Sequence, residues 1–178
     1  MTSPSTSASD LISRLLVSVP DFPEPGILFR DLTPVLADAE AFRAITDELA
    51  APYSGRVDVV AGVEARGFLL AASAAYVLGA GVVAIRKAGK LPPVELLSES
   101  YDLEYGAATL EMHPAAVPGT RMLLLDDVLA TGGTLAATVR MAERAGYVVV
   151  GVGVVIELED LAGRDLLDGL PVSALVSF

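Results

Sequence analysis

The sequence predicts an α/β fold, a doubly wound and mainly parallel sheet with flanking helices, and three observations carry that prediction. Four apolar runs rich in β-branched residues, Val57 to Ala61, Val82 to Ile85, Met122 to Leu125 and Val148 to Ile156, have the continuous hydrophobicity of strands covered on both faces. Helical stretches at Phe68 to Leu78 and Thr134 to Ala145 lie between them, the second stopped by Gly146. The alternation runs through 178 residues, the size of one domain. Ligands in such sheets sit beyond the carboxyl ends of the strands, so the residues following each run are where chemistry is expected.

Composition narrows the function classes. The chain is 53% hydrophobic and has no cysteine, which removes thiol catalysis, thiolate zinc sites and iron–sulfur clusters. Its 12 Lys+Arg against 23 Asp+Glu leave a net charge of −11, a poor match for a protein that wraps nucleic acid by neutralising phosphates. Basic residues held close together therefore stand out.

Taken in order, residues 1–9 are Ser/Thr-rich, without a basic start or an apolar core, and are expected to be a disordered tail rather than a secretory signal. Residues 10–178 are expected to form the single domain. Pro20 to Pro34 holds four prolines around Phe22, Phe29 and Arg30, too many for a helix, and is expected to be an ordered loop packed on the sheet. Gly67 to Ile85 is uncharged for nineteen residues, but Gly79 and Gly81 divide it into a buried helix and a strand, so no membrane span is expected and the chain is placed in the cytoplasm. Lys87 to Gly106, with Gly89 and the Pro92-Pro93 pair, is expected to be a long mobile loop, and such loops commonly act as lids. His113, the only histidine, precedes Pro114 in an expected surface turn and is given no chemistry.

The densest chemical signal is LLLDDVLATGGT, Leu123 to Thr134. A buried strand ends in Asp126 and Asp127, and the small-residue loop Ala130, Thr131, Gly132, Gly133 and Thr134 opens the next helix. Glycines let backbone N–H groups turn inward, threonines add hydroxyl donors, and a helix N-terminus supplies partial positive charge: an anion site. Carboxylates beside a phosphate cradle make sense if the phosphate belongs to a sugar whose hydroxyls they accept from. The segment is neither a Walker loop nor a dinucleotide fingerprint, because it lacks the Gly-Lys-Ser/Thr and the glycine spacing. Arg86, Lys87 and Lys90 place three of the twelve cations within five residues, a second candidate anion site, although a solvated loop or a subunit contact would read the same way.

The wording DDVLATGGT resembles the phosphoribosyl pyrophosphate motif of the type I phosphoribosyltransferases, in its purine form. PDFPEPGILFRDLTPVL (Pro20 to Leu36), GVEARGFLL (Gly62 to Leu70), RKAGKLP (Arg86 to Pro92) and ESYDLEYG (Glu99 to Gly106) narrow the resemblance to the adenine phosphoribosyltransferases, in that family's order, across Leu11 to Leu158. The resemblance implies the type I phosphoribosyltransferase fold with a small N-terminal hood and a lid. It implies a homodimer using adenine and 5-phosphoribosyl-1-pyrophosphate, Mg²⁺ held mainly by substrate oxygens, and no metal-ligating residues of the protein's own.

Roles follow by the same resemblance. Asp126 and Asp127 take the ribose, Ala130 to Thr134 the 5′-phosphate, and Arg66 with Arg86, Lys87 and Lys90 the pyrophosphate, some of these cations serving a neighbouring subunit. Leu28, Phe29 and Arg30 take the base, with Phe29 stacked on it. Glu104, the catalytic residue, manages the proton at purine N7; a carboxyl enclosed by apolar side chains holds its proton more tightly. On the residues alone, Arg66 has a second reading as a surface cation, a Glu such as Glu104 in a loop is usually a solvated charge, and Phe29 has a second reading as a core plug. Pro93-Val94 departs from the polar or basic residue common there. Two other activities stay open: transfer to a 6-oxopurine (hypoxanthine, guanine or xanthine), and nucleotide sensing without catalysis, for which an appended helix-turn-helix would be expected and no room is left.

Overall fold

Helix α1 (Ala8–Leu15) opens the fold, and Ser7 caps it by accepting from the backbone N–H of Asp10 at 3.1 Å. The computed structural model describes residues 7–102 and 107–178. Residues 8 and 9 of the stretch expected to be a tail thus belong to α1. The cause is local: the cap, Asp10 in the first turn, and Leu11 and Ile12 fully buried.

Strands β1 (Val17–Pro20) and β2 (Leu28–Asp31) pair antiparallel as a separate two-stranded sheet. This corrects the expectation of a loop packed on the main sheet. Pro20 ends an edge strand, where its missing N–H costs no ladder bond, and Pro23 and Pro25 lie in the connecting turn. That turn contains a cis Phe22–Pro23 bond and closes through Asp21, whose carboxylate accepts from Gly26 N–H at 2.7 Å. Helices α2 (Thr33–Ala37) and α3 (Ala39–Ala50) follow, the latter capped by Asp38.

The main sheet is built from β3 (Val59–Val63), β4 (Gly81–Lys87), β5 (Leu97–Asp102), β6 (Ala107–Met112), β7 (Thr120–Leu129), β8 (Tyr147–Glu157) and β9 (Val172–Ser177). Helix α4 (Gly67–Leu78) joins β3 to β4, and α5 (Gly133–Arg144) joins β7 to β8. The spatial order is β5-β6-β4-β3-β7-β8-β9. β4, β3, β7, β8 and β9 run parallel, while β5 and β6 form an antiparallel extension at the β4 edge. The uncharged run Gly67 to Ile85 is therefore α4 ended by left-handed Gly79 and followed by β4. No helix among the described residues is long and apolar enough to cross a membrane.

Successive β7 residues divide between two cores. Leu123 and Leu125 join α1, α3 and α4, whereas Met122 and Leu124 join α5 on the other face. Burial on both faces explains why these strands read as unbroken apolar runs.

Lys87 to Gly106 is not one long loop. Lys87 belongs to β4, and Leu97–Asp102 is a strand whose Leu97, Glu99 and Tyr101 are half-buried while Ser98 and Ser100 are exposed. Glu99 faces inward because Arg140 Nε of α5 donates to it at 3.0 Å and Arg144 pairs with its other oxygen. A charge on the inward face hid the alternation. Residues 103–106 of the expected lid, and with them Glu104, lie outside the described residues.

Candidate active site

Chain connectivity gathers the site. From β3 the chain crosses through α4 to β4 on one side, while β7 lies on the other, so the carboxyl ends of β4, β3 and β7 share one edge at a topological switch point. There Val63 to Arg66, Lys87, Tyr101, Leu110, Asp126, Asp127 and Thr134 line a cavity of about 320 Å³. Asp126 and Thr134 also line a smaller cavity of about 80 Å³ formed with Ala130 to Gly133.

The smaller cavity is the mouth of α5. Gly132, at φ +80°, precedes the helix, and no side chain caps it. Its first N–H groups are left for a ligand, where the helix dipole favours an anion. Thr131 is exposed, and the Thr134 hydroxyl donates to the Tyr101 hydroxyl at 3.2 Å.

Asp126 and Asp127 lie within β7 rather than after it, because the β7–β8 ladder continues to Leu129 opposite Glu157. The pair is thus held by strand backbone. Burial, and next the charge of Asp127, push the Asp126 carboxyl well above the ordinary carboxylate range. Its Oδ1 accepts from Asp127 N–H at 2.9 Å. As pH rises above the ordinary range, the folded chain keeps a proton the unfolded chain has lost, so this group's contribution to stability falls across that window. Asp126→Asn retains the acceptor and removes the titration; thermal melts at neutral pH should show a midpoint higher by about 2–4 °C for each kcal/mol recovered. An unchanged midpoint would show that the buried charge costs nothing.

Arg66 ends the Glu64–Arg66 loop, which contains a cis Glu64–Ala65 bond, and its Nε pairs with Asp127. The guanidinium lines the cavity while anchored on Asp127. Glu64, for which the sequence suggests no role, joins this loop to β4 by accepting from Lys87 N–H at 3.1 Å and from Arg86 Nε at 3.3 Å. The Lys87 amide first, then Arg86 against the cost of burial, lowers the Glu64 pKa. Arg86 also donates to the Lys90 carbonyl at 3.0 Å. Of the three clustered cations only Lys87 lines the 320 Å³ cavity; Arg86 braces the loop, and Lys90 is exposed.

Leu28, Phe29 and Arg30 lie on β2, outside the residues that line that cavity. Phe29 meets Phe22 edge-on at 5.2 Å, and Leu28 is exposed. Arg30 stacks over the Phe178 ring at 4.2 Å and donates to Ser18 Oγ at 2.6 Å. Asp31, at the end of the same strand, has its pKa lowered mainly by the Thr33 hydroxyl and in small part by the charge of Arg66.

Known proteins with this arrangement carry the family. The model of the phosphoribosyl transferase domain matches residues 35–174. The adenine phosphoribosyltransferase of Clavibacter michiganensis is 64% identical over 98% of this chain and 99% of its own length; that of Thermobifida fusca is 54% identical over 97% and 99%. Among solved structures, the adenine phosphoribosyltransferase of Rhodothermus marinus superimposes with a TM-score of 0.88 at 47% identity, covering 96% of this chain and 98% of that one. The Giardia lamblia enzyme complexed with 9-deazaadenine gives 0.89 at 36% identity, covering 97% and 98%. With the site at the switch point and similarity over nearly the whole chain, the protein belongs to the phosphoribosyltransferase family, within its adenine phosphoribosyltransferase branch.

Proposed function

We propose that the protein joins adenine to 5-phosphoribosyl-1-pyrophosphate, giving AMP and pyrophosphate, and does so in the cytoplasm. One observation carries the reading: the uncapped mouth of α5 shares Asp126 and Thr134 with a cavity that holds a second carboxylate, Arg66 and Lys87. An anion cradle, a carboxylate pair and a cation pair lie in the order that the phosphate, ribose and diphosphate of one substrate require.

In the mechanism, amides and hydroxyls from Ala130 to Thr134 anchor the 5′-phosphate. Asp126 and Asp127 accept from the ribose hydroxyls and face the positive charge that develops on the ring as the C1′–O bond breaks. Arg66 and Lys87 offset the charge of the departing pyrophosphate, with Arg86 and Lys90 shaping the loop beside it. Positioning and charge stabilisation, rather than covalent catalysis, supply the acceleration. Leu28, Phe29 and Arg30 receive the base, and Glu104 holds the proton at N7 as the bond to N9 forms. Three carboxylates line the cavity, and two of them are already engaged, Glu64 by the Lys87 amide and Arg86 and Asp127 by Arg66, which suits an ion that keeps substrate oxygens and water as its main ligands. Mg²⁺ entering with the substrate would supply electrostatic clamping of the departing charge, with Asp126 and Asp127 as the nearby carboxylates.

Pyrophosphate release measured with each purine in turn tests the reading. Adenine should be used at least about a hundredfold better than hypoxanthine, because a site built around an exocyclic amine leaves buried groups unpaired against a carbonyl. Equal turnover would overturn the adenine assignment. The exposed Leu69, Tyr76 and Val77 of α4, next to exposed Val82 of β4, are where we place the second subunit of a homodimer. Tyr76→Glu should halve the mass seen by sedimentation.

A further inference from the structure

The turn after β8 touches the phosphate loop more closely than any side chain would permit. A Cβ built on Gly163 would lie 2.0 Å from the Ala130 carbonyl oxygen, 2.7 Å from Gly132 N and 2.9 Å from the Thr131 carbonyl carbon. A Cβ on Gly132 would lie 2.2 Å from the Gly163 carbonyl oxygen. All of these are backbone atoms, so no flexible group can yield. Gly163 itself lies outside the left-handed region, and its own conformation admits alanine. What a side chain there would meet first is the phosphate loop.

The turn is also fastened from behind. Arg164 Nε donates to Glu157 Oε1 at 2.8 Å, a terminal nitrogen pairs with Oε2, and Nη1 donates to the Val172 carbonyl at 2.8 Å. Glu157 is 6% exposed and stands opposite Leu129 in the β7–β8 ladder, one residue before Ala130. Leu158 N–H donates to the Leu129 carbonyl at 2.9 Å. The contacts close a ring: from the end of β7 across to β8, through the Glu157–Arg164 fork to Gly163, and back onto Ala130 to Gly132.

We infer that Gly163 and Arg164 are positioning residues for the phosphate cradle, Gly163 setting the level of the loop's backbone and Arg164 holding that level fixed. The inference rests on the reading of Ala130 to Thr134 as the 5′-phosphate site. Gly163→Ala inserts one methyl under the loop, and displacement of positioned donors by an ångström costs up to about a hundredfold. The KM for phosphoribosyl pyrophosphate and the calorimetric Kd for AMP should rise about tenfold or more, with kcat at saturation and the KM for adenine within about threefold. Arg164→Ala should shift the same two constants without adding bulk, and Arg164→Lys, which keeps the charge but not the fork, should recover only part of the loss.

AMP affinity within twofold of the parent in both Gly163→Ala and Arg164→Ala would overturn the inference. So would losses spread equally over adenine KM, kcat and melting temperature, the pattern of a merely structural role. Should Gly163→Ala fail to fold, Arg164→Ala alone decides between these outcomes. A Gly132→Val variant measured alongside separates the two layers: if it too keeps AMP affinity, the phosphate reading has failed; if it loses affinity while the other two keep it, only the positioning role has.

Discussion

Gly132→Val will abolish measurable AMP binding. Gly132 adopts φ +80°, a conformation that a β-branched residue rarely takes, and its Cβ would meet the Gly163 carbonyl oxygen at 2.2 Å. The loop can relieve both conflicts only by rotating the peptides that lead into α5, whose unsatisfied N–H groups are the proposed phosphate donors. Losing two or three charge-assisted hydrogen bonds at about 1.5–3 kcal/mol each takes affinity beyond the range of calorimetry. The sheet behind the loop does not depend on that turn, so circular dichroism should stay native with a lowered melting temperature. Parent-like AMP affinity in the folded variant would place the phosphate elsewhere. Thr134→Val, which removes one hydroxyl and leaves the turn free, should weaken AMP by a smaller factor.

Glu104→Leu will lower kcat by about 10² to 10⁴, the contribution of a positioned acid or base, while the affinity for phosphoribosyl pyrophosphate barely changes. The second half of that expectation follows from which segments the proposed phosphate and ribose groups come from. The groups proposed to hold the ribosyl phosphate come from β3, β4, β7 and the mouth of α5, whereas Glu104 falls in the sequence between β5 and β6. A solvated charge would predict a loss below about threefold. Single-turnover kinetics at saturating substrate separates these outcomes, and a near-normal chemical step would remove Glu104 from the mechanism.

How far such a site can be read without coordinates depends on where its information is stored. The phosphate cradle is local: twelve consecutive residues, Leu123 to Thr134, contain the strand, the acids and the glycine turn. Ladder length is not local. Asp126 and Asp127 look like the residues after a strand until β8, eleven residues long, is laid beside them. Strands β5 and β9 are only half-buried, so they lack the apolar run that marks β3 or β7. Helix α3 does carry a signal, with Asp38 as cap and Ala41, Ile45 and Leu49 four apart, that a search for strands passes over. Gly163 offers nothing to read, since its meaning is a contact with residues more than thirty positions earlier.

The β1–β2 hairpin shares no hydrogen-bond ladder with the main sheet, and it meets the far end of the chain where Arg30 lies over Phe178. On the proposed reading, choice of nucleobase and handling of the sugar phosphate thereby fall to different pieces of chain. A lineage changing its preferred base could rewrite the short stretch from Val17 to Asp31 and keep every carboxylate, cation and amide of the ribosyl machinery. The same partition makes the hairpin a transplantable cassette: exchanged between relatives with Arg30 and Phe178 kept, it should carry base preference with it and leave phosphoribosyl pyrophosphate affinity behind.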